Sequence, residues 1–240
     1  MKTIKLGIPA LAIVLLFATS CCLDCFTIRG NGIDGSEMRH TGSFSKIKSS
    51  GSFRVHVTNG NDYEVIVMAE TNILPYIDTY VRGGALSIGI CGVHNIRNTL
   101  PMEVYITTPV LESLKESGSG EITTGFFESN YFDVAISGSG KVETAVDCHH
   151  LEASISGSGR VSVSGVADYS EFKISGSGRI NAYDLFSTDC QATISGSGDI
   201  FANVEQLLEA TISGSGNVFY IGNPTVIQHI SGSGKVIDDN

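Results

Sequence analysis

The sequence has no tryptophan, and only 17% of its 240 residues are charged. A disordered, highly charged polymer is excluded, because 42% of the residues are hydrophobic and can form a core. Basic residues are scarce, since 15 Lys and Arg stand against 25 Asp and Glu and give a formal net charge of −10. No nucleic-acid partner is expected, because binding to phosphates requires a basic face. The length accommodates one domain or at most two small ones.

Long hydrophobic runs are limited to one segment, Leu6–Ala18. Lys2 and Lys5 precede it and small residues follow it, which is the layout of a secretory signal over residues 1–20. The run is too short to span a membrane. The sequence Ala18-Thr19-Ser20-Cys21 resembles a bacterial lipobox, and the resemblance implies cleavage before Cys21 and attachment of lipid to it. The alternative is an ordinary signal peptide that leaves Cys21 as a free thiol.

These features predict a cell-envelope protein attached through lipid to the outer membrane, on its periplasmic or surface-exposed side. A tether would follow over residues 21–39, and a folded domain over residues 40–237. Cleavage after residue 20 removes two lysines and no acid, which takes the formal net charge from −10 to −12. Attachment to the membrane is therefore expected to come from the lipid and not from basic side chains.

Cysteine is infrequent, and its spacing is typical of no zinc site. Cys22 and Cys25 lie beside the expected anchor. Cys91, Cys148 and Cys190 are expected to be buried or free thiols. A disulfide between Cys148 and Cys190 is the alternative, since an exported protein meets oxidising conditions.

Glycine, in contrast, is abundant, with 28 residues, and half of them belong to a repeat. Ser-Gly-Ser-Gly occurs seven times at intervals of 18 to 20 residues, and an isoleucine precedes six of the copies. A fixed period of this length indicates a solenoid, in which each repeat forms one coil stacked on the next. The repeat glycines are Gly118, Gly120, Gly138, Gly140, Gly157, Gly159, Gly176, Gly178, Gly196, Gly198, Gly214, Gly216, Gly232 and Gly234.

The alternation of residues around each repeat predicts which side chains face the core. In an extended chain, Ile155, Gly157, Gly159 and Val161 share one face, and the serines between them face water. Glycine fills no core volume, so either the opposite wall approaches closely there or the chain bends there with a positive φ. Both alternatives make Ser-Gly-Ser-Gly a structural element.

The predicted fold is therefore all-β, a single-domain parallel β-helix (β-solenoid) with coils of about 18–20 residues. A weaker copy, Ser50-Gly51-Ser52, suggests that coils begin before the regular repeats. The less regular N-terminal half is expected to cap one end. Asn72–Ile77 is expected to form one short helical turn.

The residue after each Ser-Gly-Ser-Gly would form a column along the solenoid. A calcium-binding β-roll needs Asp at one turn position of every coil, whereas four of these seven residues are cationic. Arg160 and Arg179 would stack and repel, and Arg179 and Asp199 would attract. The column comprises Glu121, Lys141, Arg160, Arg179, Asp199, Asn217 and Lys235.

No motif selects a catalytic or cofactor site, and no cofactor or metal is expected. Alternation would place His149 and His150 on opposite faces of a strand, which disfavours a metal pair. The spacing Gly30-Asn31-Gly32-Ile33-Asp34-Gly35 matches a dinucleotide fingerprint, but no helical pattern follows, so a turn is expected. Two carboxylates could still converge as acid and base on one wall. The candidates are Asp133, Asp147, Asp168, Asp184 and Asp189.

The Phe44-Ser45-Lys46-Ile47 opening, the stretch Val104–Leu111 and the Ile-Ser-Gly-Ser-Gly repeats resemble the head GIN domain family. These are adhesin-type proteins that are common in Bacteroidetes. The resemblance covers residues 40–237 and implies a β-helix-like fold and a surface or periplasmic lipoprotein.

Together these observations predict a lipid-anchored, non-enzymatic module that binds a glycan or protein ligand at the cell surface or serves a structural role. One alternative is a carbohydrate-active β-helix enzyme. The other is an envelope sensor or assembly partner without a ligand of its own. The oligomeric state is left open.

Overall fold

Each Ser-Gly-Ser-Gly forms a corner of a β-solenoid of about seven coils, in a single domain. The computed structural model describes residues 26–92 and 94–240. The predicted fold class is confirmed. The predicted signal peptide, the predicted lipidation site Cys21 and the cysteines Cys22 and Cys25 lie outside the described residues.

Strands make up almost all of the described chain. In the N-terminal half they are β1 Phe26–Arg29, β2 Asp34–Arg39, β3 Lys46–Gly51, β4 Arg54–Asn59, β5 Glu64–Glu70, β6 Ile77–Arg82, β7 Ala85–Ile90, β8 His94–Arg97 and β9 Glu103–Thr108. The coils continue with β10 Ser113–Gly118, β11 Glu121–Gly138, β12 Lys141–Gly157, β13 Arg160–Gly176, β14 Arg179–Gly196, β15 Asp199–Gly214, β16 Asn217–Ile221, β17 Thr225–Gly232 and β18 Lys235–Asp238. A single 3-10 turn at Leu74–Tyr76 matches the predicted helical turn.

The two glycines of each corner have different structural roles. The first glycine of every copy has a φ between +123° and +136°, a region that other residues rarely adopt. The second glycine leaves room for the coil before it. A Cβ built on Gly159 would lie 2.6 Å from Cγ2 of Ile136 and 2.9 Å from the carbonyl oxygen of Gly140. The bend and the close approach therefore both occur, each at its own glycine.

The core is a set of apolar columns inside the coils. The isoleucine before the corner is buried from Ile136 to Ile212, and the Ile or Val after it is buried from Ile122 to Val218, as the alternation predicts. In the last copy Ile230 is 41% exposed and Val236 is only partly buried. The alternation slips by one residue at His149-His150 and at Asp168-Tyr169. At these slips both residues of the pair lie outside the core, because the chain bends there. The prediction that His149 and His150 lie on opposite faces of a strand is therefore wrong.

The N-terminal strands cap the solenoid, as predicted. The sheet changes from parallel to antiparallel at this end, where β6 pairs with β7 and β5 pairs with β2 and β9. The weaker repeat is confirmed as a coil corner, because Ser50 and Gly51 pair with Ser117 and Gly118. The tether predicted over residues 21–39 differs from the structure, since β1 and β2 lie within it and pair with β8 and β5.

Glu70 fixes the loops of this cap. Its buried carboxylate accepts hydrogen bonds from the Gly32 amide at 2.6 Å and from the Thr99 hydroxyl at 2.7 Å and amide at 2.9 Å. Burial raises the pKa of Glu70, but these hydrogen bonds outweigh it and lower the pKa overall. The glycines of the Gly30–Gly35 stretch thus admit a carboxylate from the chain itself, since a Cβ on Gly30 would overlap Glu70.

The two cysteines of the repeats are buried free thiols. Cys148 pairs with Ala167 of the next coil, whereas Cys190 pairs with Ser170, so they stand in different columns two coils apart. The alternative of a Cys148–Cys190 disulfide is therefore wrong. Burial raises the pKa of Cys148 to about 11 and also raises that of Cys190, which keeps both thiols protonated.

Glu116 stands where the later coils have isoleucine, since it pairs with Ile136. It is 1% exposed, and its side chain packs over Gly140 as the isoleucines pack over the later glycines. Its Oε1 accepts a hydrogen bond from the Gly120 amide at 3.0 Å. Burial raises the pKa of Glu116, and the Ser49 hydroxyl and the Gly120 amide offset this only in part.

Replacing Gly157 by alanine is expected to lower the free energy of unfolding by about 2–4 kcal/mol. The added Cβ would overlap the backbone oxygen of Gly138, and the residue would keep an unfavourable φ of +126°. Urea unfolding followed by circular dichroism measures the change. Gly42→Ala is the matched control, because nothing lies within 4 Å of its Cβ. Equal effects of the two substitutions would contradict the assigned role of the corner glycine.

Glu116→Gln is expected to change how stability depends on pH. A raised pKa in the folded state means that the contribution of Glu116 is fully present below about pH 4.5 and is lost as pH rises through the folded pKa. The variant keeps the acceptor for Gly120 and does not titrate. Its thermal midpoint should match that of the wild type at pH 4 and exceed it at pH 8. Glu128→Gln, at an exposed position, controls for the change in net charge. If the thermal midpoints of the wild type and Glu116→Gln changed in parallel with pH, Glu116 would not have the proposed effect on stability.

Candidate binding site

Each full coil presents two outward faces. The leading face consists of the segments that run into each Ser-Gly-Ser-Gly corner, and the following face consists of the segments that leave it. Parallel pairing in register stacks equivalent residues of successive coils at a spacing of about 4.8 Å. The outward side chains therefore form columns, among them the first serines of the corners, Ser137, Ser156 and Ser175.

The leading face carries an acidic column and an aromatic column beside it. In the aromatic column, the ring of His150 lies 5.1 Å from that of Tyr131 and 5.0 Å from that of Tyr169. The acidic column is interrupted by Gln191 and comprises Asp133, Glu152, Glu171, Gln191 and Glu209.

Glu152 is the best-bound carboxylate of this column. It accepts hydrogen bonds from the Tyr131 hydroxyl at 2.7 Å and from Lys173 Nζ at 3.2 Å. The bond from Tyr131 and the charge of Lys173 lower the pKa of Glu152, although burial opposes them. The same contact raises the pKa of Tyr131 to about 12. Glu152 thus stays ionised and holds the Tyr131 ring in place.

Where the coils meet the cap, the leading face contains a cleft of about 780 Å³. We name this feature the cap cleft. It runs from Tyr80 on β6 to Tyr131 on β11, across four strand spacings or roughly 19 Å. Both tyrosines are exposed, at 51% and 45%. Ala85, Ser87 and Ser113 also line the cleft.

The cap cleft is rich in basic side chains for so acidic a chain. Four cations and two acids line it, namely Lys46, Lys48, Arg82, Lys115, Glu112 and Asp133. The acids are engaged, since Glu112 accepts a hydrogen bond from Ser45 and Asp133 pairs with Lys115 at 3.2 Å. Within the described residues, Lys46, Lys48 and Arg82 form no ion pair with an acidic side chain. Cationic groups are therefore available to a ligand in the cleft.

The cap cleft continues along the coils into a shallow depression of about 700 Å³. Small side chains such as Ala135, Ser137 and Ser154 form its floor, and Lys48, Lys115 and Lys173 lie at its margins. Lys48 and Lys115 line both features. An elongated ligand could therefore pass from the cleft onto the face of the coils.

The candidate catalytic carboxylates do not converge. No two of Asp133, Asp147, Asp168, Asp184 and Asp189 occupy paired positions in adjacent coils. Asp168 instead forms a hydrogen bond with His149, at 2.6 Å between Oδ2 and Nδ1. Within residues 26–92 and 94–240, no group of three or more His, Cys, Asp or Glu is arranged to hold a metal ion.

Comparison of the sequence with protein-family profiles identifies the family. The profile of the family described as "Putative auto-transporter adhesin, head GIN domain" matches residues 43–224. The chain belongs to the head GIN domain family. This confirms the resemblance drawn from the corner repeats, and it agrees with an adhesin-like protein of the cell envelope or surface.

Solved head GIN-like structures share the fold. A protein from Bacteroides fragilis named a putative adhesin is 24% identical with a TM-score of 0.83, over 88% of this chain and 99% of that one. One from Parabacteroides distasonis named a putative lipid binding protein is 26% identical with a TM-score of 0.75, over 88% of this chain and 98% of that one. None of the curated proteins matches this chain. No helix in the described residues is long and apolar enough to cross a membrane.

Sequence reasoning did not find the cap cleft of this head GIN protein. Its residues come from β3, β6, β7, β10 and β11, which are distant in sequence, and no short motif joins them. The sequence alternates at Lys46-Ile47-Lys48, which is typical of a strand with two cations on one face, but this pattern does not indicate which strands lie opposite. The opposing strands became known only from the register.

Proposed function

We propose that this head GIN protein is a non-enzymatic binding module of the cell envelope that holds a glycan in its cap cleft. The observation that carries the proposal is the cleft itself, in which exposed Tyr80 and Tyr131 flank a strip with cations that have no acidic partner among the described residues. Aromatic rings pack against sugar rings, and lysine and arginine donate hydrogen bonds to hydroxyl and acidic groups.

The shape of the surface supports a glycan over a compact metabolite. The cap cleft is open and elongated, and the depression beside it extends the contact along several coils. A small-molecule pocket encloses most of its ligand, whereas this surface would leave one side of a chain in water.

Two observations support the absence of catalysis. A glycosidase needs one carboxyl group with a raised pKa as general acid, beside an ionised partner. In the acidic column the pKa of Glu152 is lowered, and its neighbours Tyr131 and Lys173 stabilise the charged form. Burial raises the pKa of the Glu116 carboxyl group, but this side chain is 1% exposed and faces the core, where it cannot reach a bound polysaccharide.

Attachment to the membrane through Cys21 is the second part of the proposal. It is supported by the lipobox-like sequence Ala18–Cys21 and by the net negative charge of the chain, which disfavours adsorption to anionic lipid. The cap comes before the regular coils in the sequence, so it would then be the end of the solenoid that is joined to the anchor.

Tyr80→Ala and Arg82→Gln are each expected to weaken glycan binding by about tenfold, because a ring contact or a charged hydrogen bond is lost. A glycan array with the full chain in detergent identifies ligands, and calorimetry gives their affinities. Tyr105→Ala, which removes an exposed tyrosine on the following face, should bind as the wild type does.

Three results would oppose the cleft as a glycan site. They are an array without any ligand, equal losses in Tyr80→Ala and Tyr105→Ala, and capture of proteins alone by the wild type. Turnover of a bound polysaccharide that is abolished by Glu152→Gln would instead establish the enzyme alternative.

Cys21→Ser is expected to move the protein from the membrane fraction to the soluble fraction and to abolish labelling by an alkyne-bearing fatty acid. Cys22→Ser is the control, since it removes the adjacent thiol and leaves the lipobox-like sequence unchanged. Retention of label and membrane attachment in Cys21→Ser would exclude Cys21 as the anchor.

A further inference from the structure

The following face contains a second concentration of positive charge, in the column after the corners. Lys141, Arg160 and Arg179 occupy successive coils in register. Like charges at a spacing of about 4.8 Å repel one another unless an anion lies between them. The sequence predicted this stacking of Arg160 and Arg179, and the structure confirms it.

The protein neutralises only part of this charge. Lys141 pairs with Glu121 at 2.9 Å and with Glu143 at 3.1 Å. Arg179 approaches Asp199 at 3.4 Å, and Asn217 also binds that carboxylate. Arg160 has no acidic partner among the described residues and is exposed. The guanidinium group of Arg160 is therefore available to an external anion.

An aromatic corner lies next to the two arginines. The rings of Tyr183 and Phe201 are 5.4 Å apart at an interplanar angle of 83°, and Phe219 stacks on Phe201 at 4.8 Å. The guanidinium carbon of Arg179 lies 5.4 Å from the centroid of Phe201. The Tyr183 hydroxyl donates to Asp239 at 2.7 Å, which fixes the ring.

An irregularity of the repeat places Tyr183 at this corner. The register between β14 and β15 passes from Ala182 directly to Phe186, so residues 183–185 have no partner in the next coil. The side chain of Asn181 accepts a hydrogen bond from the Tyr183 amide, and Asn203 donates to the Tyr183 carbonyl. Bulges of this kind redirect side chains and are frequent at functional sites.

These groups surround a hollow of about 310 Å³, which is the size of a small-ligand site. A second hollow of about 140 Å³ lies at the corner glycines and also borders both arginines. The first hollow is lined by Arg160, Ser162, Arg179, Asn181, Tyr183 and Phe201. It combines paired guanidinium groups, ring faces, a hydroxyl and an amide.

We propose that this hollow binds an acidic sugar, with the sugar ring against the ring of Tyr183, which Phe201 supports from the side, and its carboxylate or sulfate group between Arg160 and Arg179. Guanidinium groups bind such anions through two parallel hydrogen bonds, and aromatic faces bind the apolar side of a sugar ring. Ser162 and Asn181 can hydrogen-bond the remaining hydroxyls. This site is separate from the cap cleft and goes beyond the function proposed for it.

Calorimetry with the full chain in detergent tests the site with four probes. Oligogalacturonate carries carboxylates, sulfated dextran oligosaccharide carries sulfates, maltohexaose is neutral, and polyphosphate is an anion without a sugar. We expect binding of at least one acidic oligosaccharide, weakened by added salt, and no binding of maltohexaose.

Arg160→Gln and Arg179→Gln should each weaken that binding by about tenfold or more. Lys235→Gln is the matched control, because it removes one charge from the same column outside the hollow. The affinity of this variant for the oligosaccharide should stay within about twofold of the wild-type affinity. Phe201→Leu should also weaken binding, since it keeps the apolar volume and removes the ring. Tyr80→Ala, in the cap cleft, should leave this binding unchanged.

Several outcomes would overturn the proposal. The first is that neither acidic oligosaccharide binds. The second is that Arg160→Gln weakens binding no more than Lys235→Gln does. The third is that polyphosphate binds as tightly as the acidic oligosaccharide while Phe201→Leu leaves the affinity unchanged. If Tyr80→Ala abolishes binding while Arg160→Gln does not, the ligand occupies the cap cleft, so the proposed function stands and this site fails.

Discussion

The solenoid depends on one repeated contact. In it, the γ2 methyl group of an isoleucine packs against the second glycine of the next corner. The space above that glycine is filled by the side chain of the preceding coil, so any Cβ there would force the coils apart. The first glycine provides the backbone bend that turns each coil. The corner thus fixes the direction of the chain and the spacing of the stack, and the same four residues recur because the same geometry recurs. Parallel register then follows along the whole length.

A fixed corner allows the rest of each coil to vary. Extra residues between corners cannot shift the isoleucine and glycine columns, so they protrude as bulges, of which residues 183–185 are the clearest example. The N-terminal strands vary further and close one end of the stack with antiparallel pairs. Both candidate sites lie at such departures from the repeat. The regular coils supply a rigid frame, and the irregular segments supply the side chains that could recognise a ligand.

Unpaired cations occur on both outward faces of an acidic protein. The chain carries a net charge of −10, yet Lys46, Lys48 and Arg82 in the cap cleft and Arg160 on the following face have no acidic partner among the described residues. Stacking amplifies such differences, because one residue type repeated in register becomes a column of like charge. The acidic column of the leading face is stabilised by Tyr131, Lys173 and Lys115, whose hydrogen bonds and ion pairs offset the repulsion between neighbouring carboxylates. Attraction to an acidic ligand would then be local and sensitive to salt.

The period of the corners determined the solenoid, the inward side of each strand and the column that contains Arg160 and Arg179, because all three follow from local alternation and spacing. Sequence could not place Tyr80 opposite Tyr131 or bring Tyr183 against Phe201, since these contacts depend on which strands pair and where the register slips. It also misplaced His149 and His150, because the bend of each coil interrupts the alternation there. The strands β1 and β2 contain no repeat, so the sequence predicts a tether there, whereas pairing with β8 and β5 holds them in the cap. The repeat thus determined the frame from local chemistry, and the tertiary structure alone decided which distant side chains meet on it.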